Sequence, residues 1–125
     1  MLRDDSVLIR HILDAARKAR QFAKDRNRED LDKNEMLAIS LVHLLEIVGE
    51  AANVVSDDFR KKYPHIPWRK MIGLRNRLIH GYFDINLDIV WSTVWEDLPL
   101  LVSDLEKIIS KKEHHAMSEM LNEKS

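Results

Sequence analysis

The sequence contains no cysteine, so neither disulfides nor thiolate metal sites can hold the fold, and no thiol nucleophile is available. That absence fits a reducing compartment. Glycine and proline are scarce, with three of each in 125 residues, which leaves few places where a helical course must break. Strand signals are missing. No apolar run approaches the roughly 18 residues of a membrane span, and Met1-Leu2-Arg3-Asp4-Asp5-Ser6 lacks the basic-then-apolar order of a secretory leader. A cytoplasmic protein without a membrane association is expected. There is also no Gly-rich phosphate loop, zinc-protease helix motif or nucleophile elbow, so no nucleotide or metal cofactor is expected.

Apolar residues recur at helical spacing almost throughout. A first helix is predicted from an N-cap at Asp4 to Ser6 up to about Asp25, with Leu8, Ile9, Ile12, Leu13, Ala16, Ala19 and Ala23 on one side. A charged loop over 25–33 should come next. Asn34 and Glu35 open a second helix to about Val55, whose apolar stripe contains Leu37, Leu41, Leu44, Leu45, Val48, Ala51 and Val55 and whose opposite face carries His43, Glu46, Glu50 and Asn53. Ser56 caps a short helix ending before Pro64, and Pro67 begins a third helix that Gly81 ends. The fourth runs from Asn86 to about Lys111, with a kink at Pro99. The fold class is therefore all-α, an antiparallel four-to-five-helix up-and-down bundle. Residues 1–112 form one domain, and 113–125 a polar, disordered tail.

The net charge of −1 conceals a strong asymmetry. Arg60, Lys61, Lys62, Arg69, Lys70, Arg75 and Arg77 lie between Phe59 and Phe83 with no Asp or Glu among them, while the remainder holds 13 basic against 21 acidic residues. A basic segment in an otherwise acidic chain is the footprint of a polyanion site, although such runs also occur as plain solvated faces.

On the third helix Met71, Ile72, Leu78 and Ile79 fall in one arc at 100° per residue, with Arg75 and Tyr82 in its middle. A guanidinium there needs an anionic partner: a carboxylate, a ligand phosphate, or a site shared with another subunit. Asn76 and His80 occupy the neighbouring stripe. Arg75 and His80 point about 140° apart on a straight helix, so they meet only through the length of Arg, an unwound end near Gly81, or a cleft. An Arg to hold phosphate and a His to move a proton suffice for metal-free RNA cleavage through the 2′-hydroxyl. Purely structural roles remain open, with Arg75 paired to Glu46 or Glu50 and His80 at a helix C-terminus. His43, Glu46 and Glu50 lack matching ligands on other helices, so no metal site is expected. Trp68, Trp91 and Trp95 could stack bases, but their spacing fits core or interface residues better. His114 and His115 fall in the polar tail.

Arg75-Asn76-Arg77-Leu78-Ile79-His80-Gly81-Tyr82 resembles the Arg-x4-His-x-Tyr signature of HepT-type toxins in the HEPN superfamily. Gly49-Glu50-Ala51-Ala52, Tyr63-Pro64-His65-Ile66-Pro67-Trp68, Val90-Trp91 and Leu98-Pro99 also resemble that family, in the right order over roughly 5–110. The resemblance implies an endoribonuclease toxin acting on tRNA or mRNA, with Arg75 and His80 catalytic and with Asn76, Arg77, Arg69 and Lys70 as supporting or RNA-contacting residues. It further implies a homodimer whose motif helices share a cleft, and a minimal nucleotidyltransferase antitoxin that transfers AMP from ATP onto Tyr82. The alternative is a non-catalytic helical subunit that holds a nucleotide or substrate for a nucleotidyltransferase, because a phosphate-binding Arg and a His serve binding as well as cleavage.

Overall fold

The structure is a computed structural model that describes residues 4–79 and 84–123. Helix α1 (Asp5–Ala23) starts at Asp4, whose side chain accepts from the Ser6 N–H at 2.9 Å. That backbone donor, with the Ser6 hydroxyl, holds the Asp4 carboxyl below the usual carboxylate range. The cap therefore contributes stability above the ordinary carboxylate pKa and loses it as pH falls through the depressed one. The segment expected as a charged loop contains α2 (Arg28–Lys33), because Asn27 and Asp30 close a capping box that a loop reading overlooks.

Helix α3 (Glu35–Val54) is capped by Asn34, and α4 (Asp57–Lys62) by Ser56, as the sequence predicts. Asp5 accepts from both the N–H and the hydroxyl of Ser56, at 2.9 and 2.6 Å, which ties the start of α1 to the start of α4. Arg60 donates to the carbonyls of Ala52 and Asn53 at 3.1 and 2.8 Å, so a cation closes the C-terminal end of α3.

The remaining helices are α5 (Trp68–Ile72), α6 (Leu74–Leu78), α7 (Leu87–Ser92) and α8 (Leu98–Glu123), with a π turn over Thr93–Asp97 joining the last two. The kink expected at Pro99 takes the form of this turn. Proline has no N–H to offer the carbonyl four residues back, and the wider turn directly before it, in which the Leu98 N–H reaches the Thr93 carbonyl, absorbs the mismatch. Helix α8 also continues past Lys111, beyond the end that the sequence pattern suggests. Its terminal stretch has no glycine or proline, and pairs of Arg10 with Glu113 (2.7 Å) and His115 with Glu119 (3.0 Å) support it.

The result is an all-α bundle with no strand among the described residues, only a single bridge between Ile79 and Ile85. α1 packs along α3 and α8, and α5 and α6 lie across α3. α3 is long and apolar enough by composition to cross a membrane, contrary to the expectation that no stretch of the chain is. More than half of its most apolar stretch is buried, since it is the helix that the others cover.

Gly49 marks the tightest point of that cover. A Cβ built there would stand 2.8 Å from the Met71 carbonyl oxygen and 3.9 Å from the Leu74 Cβ. Backbone cannot yield as a flexible side chain would, so Gly49→Ala is expected to cost about 1–3 kcal/mol by overpacking. Urea unfolding should show a lower midpoint at unchanged slope. Wild-type stability in that variant would show that α5 can shift freely on α3.

Candidate active site

Trp68 opens α5 and is fixed at both ends, its ring buried beside Phe59 and its indole N–H donating to the Tyr63 carbonyl at 2.9 Å. From there Trp68, Met71, Leu74 and Leu78 turn inward against α3. The buried stripe is thus centred on Leu74, with Ile72 and Ile79 half-buried at its margins.

Two expectations change as a consequence. The third helix is not continuous: it is interrupted at Gly73, a turn residue with φ −82° and ψ 0° at the edge of the right-handed α region, and α6 ends at Leu78. Arg75 is not inside an apolar arc either. It is exposed on α6, about one-third of a turn from Leu74, and among the described residues it makes no hydrogen bond or ion pair. Glu46 and Glu50 both lack an ion pair to it, so the structural pairing considered for Arg75 does not form. Among the described residues its fork of donors has no acceptor, as binding an external anion would require.

The neighbours divide by exposure. Asn76 and Arg69 are exposed, while Arg77 is half-buried with Nη1 enclosed and without an acceptor. Lys70 meets Asp97 of the π turn at 3.0 Å, a link between residues too distant in sequence to be foreseen.

After Leu78 the backbone becomes extended at Ile79 (φ −118°, ψ 119°). The Asn86 N–H donates to the Leu78 carbonyl at 2.7 Å, and Ile79 and Ile85 pair as an antiparallel bridge. The chain therefore leaves α6 and returns beside it within a few residues. His80, Gly81 and Tyr82 lie outside the described residues, and so do the catalytic role expected for His80 and the modification expected at Tyr82. Among the described residues no three His, Asp or Glu side chains come together to hold a metal ion, and His43, Glu46 and Glu50 are no exception. Of the tryptophans, Trp68 is buried and Trp91 half-buried, but Trp95 is largely exposed.

Comparison with known proteins adds a family to this geometry. Residues 12–111 match the family described as Ribonuclease HepT-like. A Methanocaldococcus jannaschii protein named as a candidate RNase is 38% identical over 83% of this chain and 95% of its own length. A second from the same organism, also named as a candidate RNase, is 37% identical over 74% of this chain and 79% of its own. A Thermococcus cleftensis protein named as a candidate ribonuclease HepT is 33% identical over 86% and 98%. No solved structure matches the chain significantly. The all-helical bundle, matching this family over residues 12–111 and these relatives over most of its length, belongs to the HepT-like ribonucleases of the HEPN superfamily.

Proposed function

We propose that the chain is the endoribonuclease toxin of a toxin–antitoxin pair and that it cleaves RNA without a metal ion, using Arg75 and His80. The observation that carries this reading is the exposed guanidinium of Arg75 on α6, without a partner among the described residues and five positions before His80 in the sequence. His80 takes the proton of an RNA 2′-hydroxyl as that oxygen attacks the adjacent phosphorus. The bond to the 5′-oxygen breaks, the departing oxygen takes a proton from solvent, and the upstream fragment ends in a 2′,3′-cyclic phosphate. Arg75 donates to the non-bridging oxygens, where charge accumulates in the transition state. Asn76, Arg77 and Arg69 supply further RNA contacts, and Lys70 adds positive field while held by Asp97.

A homodimer completes the site by bringing two Arg75–His80 segments to one cleft. This part rests on the family resemblance rather than on burial of Arg75, which the monomer leaves in solvent. Control runs through Tyr82. Its hydroxyl oxygen attacks the α-phosphorus of ATP on the nucleotidyltransferase antitoxin, pyrophosphate leaves and the phenolic proton is lost. The new phosphodiester repels RNA and competes for Arg75.

Arg75→Ala and His80→Ala should each abolish RNA cleavage and growth inhibition. Because Arg75 is exposed and makes no pair among the described residues, Arg75→Ala should alter unfolding free energy by no more than about 0.5 kcal/mol. Cleavage should survive EDTA, leave cyclic-phosphate ends and fail on RNA with a 2′-deoxy residue at the cut. Full activity of either folded variant would refute the assignment. Light scattering should give twice the 14.7 kDa chain mass, and a persistent monomer that cuts RNA would contradict the shared cleft. Incubation with the antitoxin and ATP should add AMP masses to the peptide containing Tyr82. Tyr82→Phe should retain activity and escape silencing, and its silencing to the wild-type extent would move the control site elsewhere.

A further inference from the structure

The exposed ring of Trp95 borders a groove of about 380 Å³ lined by Arg17, Arg20, Gln21, Lys24 and Val94. No carboxylate lines it. Arg17, Arg20 and Gln21 stand in the i, i+3, i+4 order of one helix face and Lys24 follows as the C-cap, so three cations and an amide run along α1 and its C-terminal end over roughly 10 Å. Glu106 holds Arg17 at 3.4 Å, while Arg20 and Lys24 have no side-chain partner among the described residues. The Trp95 ring is backed by Trp91, with centroids 5.5 Å apart, and Trp91 packs against the core. A lone exposed aromatic is ordinary, and so is a lone basic stripe. Here a supported indole stands beside a row of cations, in a hollow large enough for a nucleoside.

We infer that this groove is a second RNA-binding site, in which single-stranded RNA stacks a base on Trp95 and lays its phosphates along Arg17, Arg20 and Lys24. Stacking on an aromatic platform combined with backbone neutralisation is the chemistry by which proteins hold single strands without reading sequence. A second copy of this chain fits less well. A symmetric contact through the patch would bring the three cations toward those of its partner, with no carboxylate in the groove to separate them. The inference rests on the RNA-cleaving reading, for which it supplies a means of holding substrate away from Arg75. Gln21 can donate to or accept from a base edge, adding modest preference without a code.

The test uses the full chain and a single-stranded oligoribonucleotide carrying 2′-O-methyl groups throughout, which cannot be cut by 2′-hydroxyl attack. Trp95→Ala should weaken binding about tenfold or more, and Trp95→Tyr should restore most of it. Arg20→Ser with Lys24→Ser should weaken binding and lower the slope of log K against log salt by about 1.4. On long RNA the same variants should raise KM, and on a dinucleotide substrate they should leave kcat unchanged. Wild-type affinity in both the Trp95→Ala and the Arg20→Ser/Lys24→Ser proteins, alongside wild-type cleavage, would overturn this site and leave the catalytic reading standing. A native protein that neither binds nor cuts RNA would remove both. Variants that bind normally but fall to monomer mass would overturn it in favour of a contact between copies. If Trp95→Ala fails to fold, the surface double variant decides the matter alone.

Discussion

The approach of α5 to α3 at Gly49 determines which way the basic segment faces. With the Met71 carbonyl 2.8 Å from where a Cβ would stand, α5 and α6 sit as close to α3 as backbone permits. Trp68, Met71, Leu74 and Leu78 then fill the interface, and burial of such side chains is worth about 1.5–3 kcal/mol each. No arrangement that turned Arg75 inward could compete, since it would forfeit one of those anchors and desolvate a guanidinium as well. The arginine is thus presented to solvent by its neighbours' burial. Its own charge needs no internal partner.

The same interface sets the path of the chain beyond α6. Leu78 is fully buried, and its carbonyl receives the Asn86 N–H at 2.7 Å. With the Ile79–Ile85 bridge, this holds Ile79 and Ile85 beside one another. Asn86 in turn caps α7 through its side chain, so the reversal and the helix after it share a residue. The Lys70–Asp97 pair adds a surface link between α5 and the π turn. Both partners are partly solvated, so its contribution to stability is small. Its consequence is electrostatic, because it partly neutralises one cation of the basic segment, while Arg69 and Arg75 keep no such partner among the described residues.

Charge is consequently presented on more than one surface. The segment richest in Lys and Arg spends Arg60 on the end of α3 and Lys70 on Asp97. Meanwhile Arg20 near the end of α1 and Lys24 at its C-cap, which no count of charges along the chain singles out, stand next to Trp95 without side-chain partners among the described residues. A linear tally thus overstates one surface and misses the other.

Capping, helical periodicity and a contiguous motif are local properties written in neighbouring residues, so the all-helical bundle, the N-caps at Asp4, Asn34 and Ser56, and the family were legible from the chain alone. Environments supplied from elsewhere in the chain were not. Periodicity centres the third helix's apolar stripe on Arg75 instead of Leu74, since only the crossing with α3 selects which of two overlapping stripes is covered. Spacing leaves Trp95 open between core and interface, and only the packing of α1 against the π turn shows that its ring is exposed while Val94 beside it is buried. The partners of Lys70 and Arg17 were equally out of reach, because the chain must fold before Asp97 and Glu106 arrive beside them. Helix identity depends on a few consecutive residues, but the direction a side chain faces depends on which other surface packs against it, and that surface is brought there only by the folded chain.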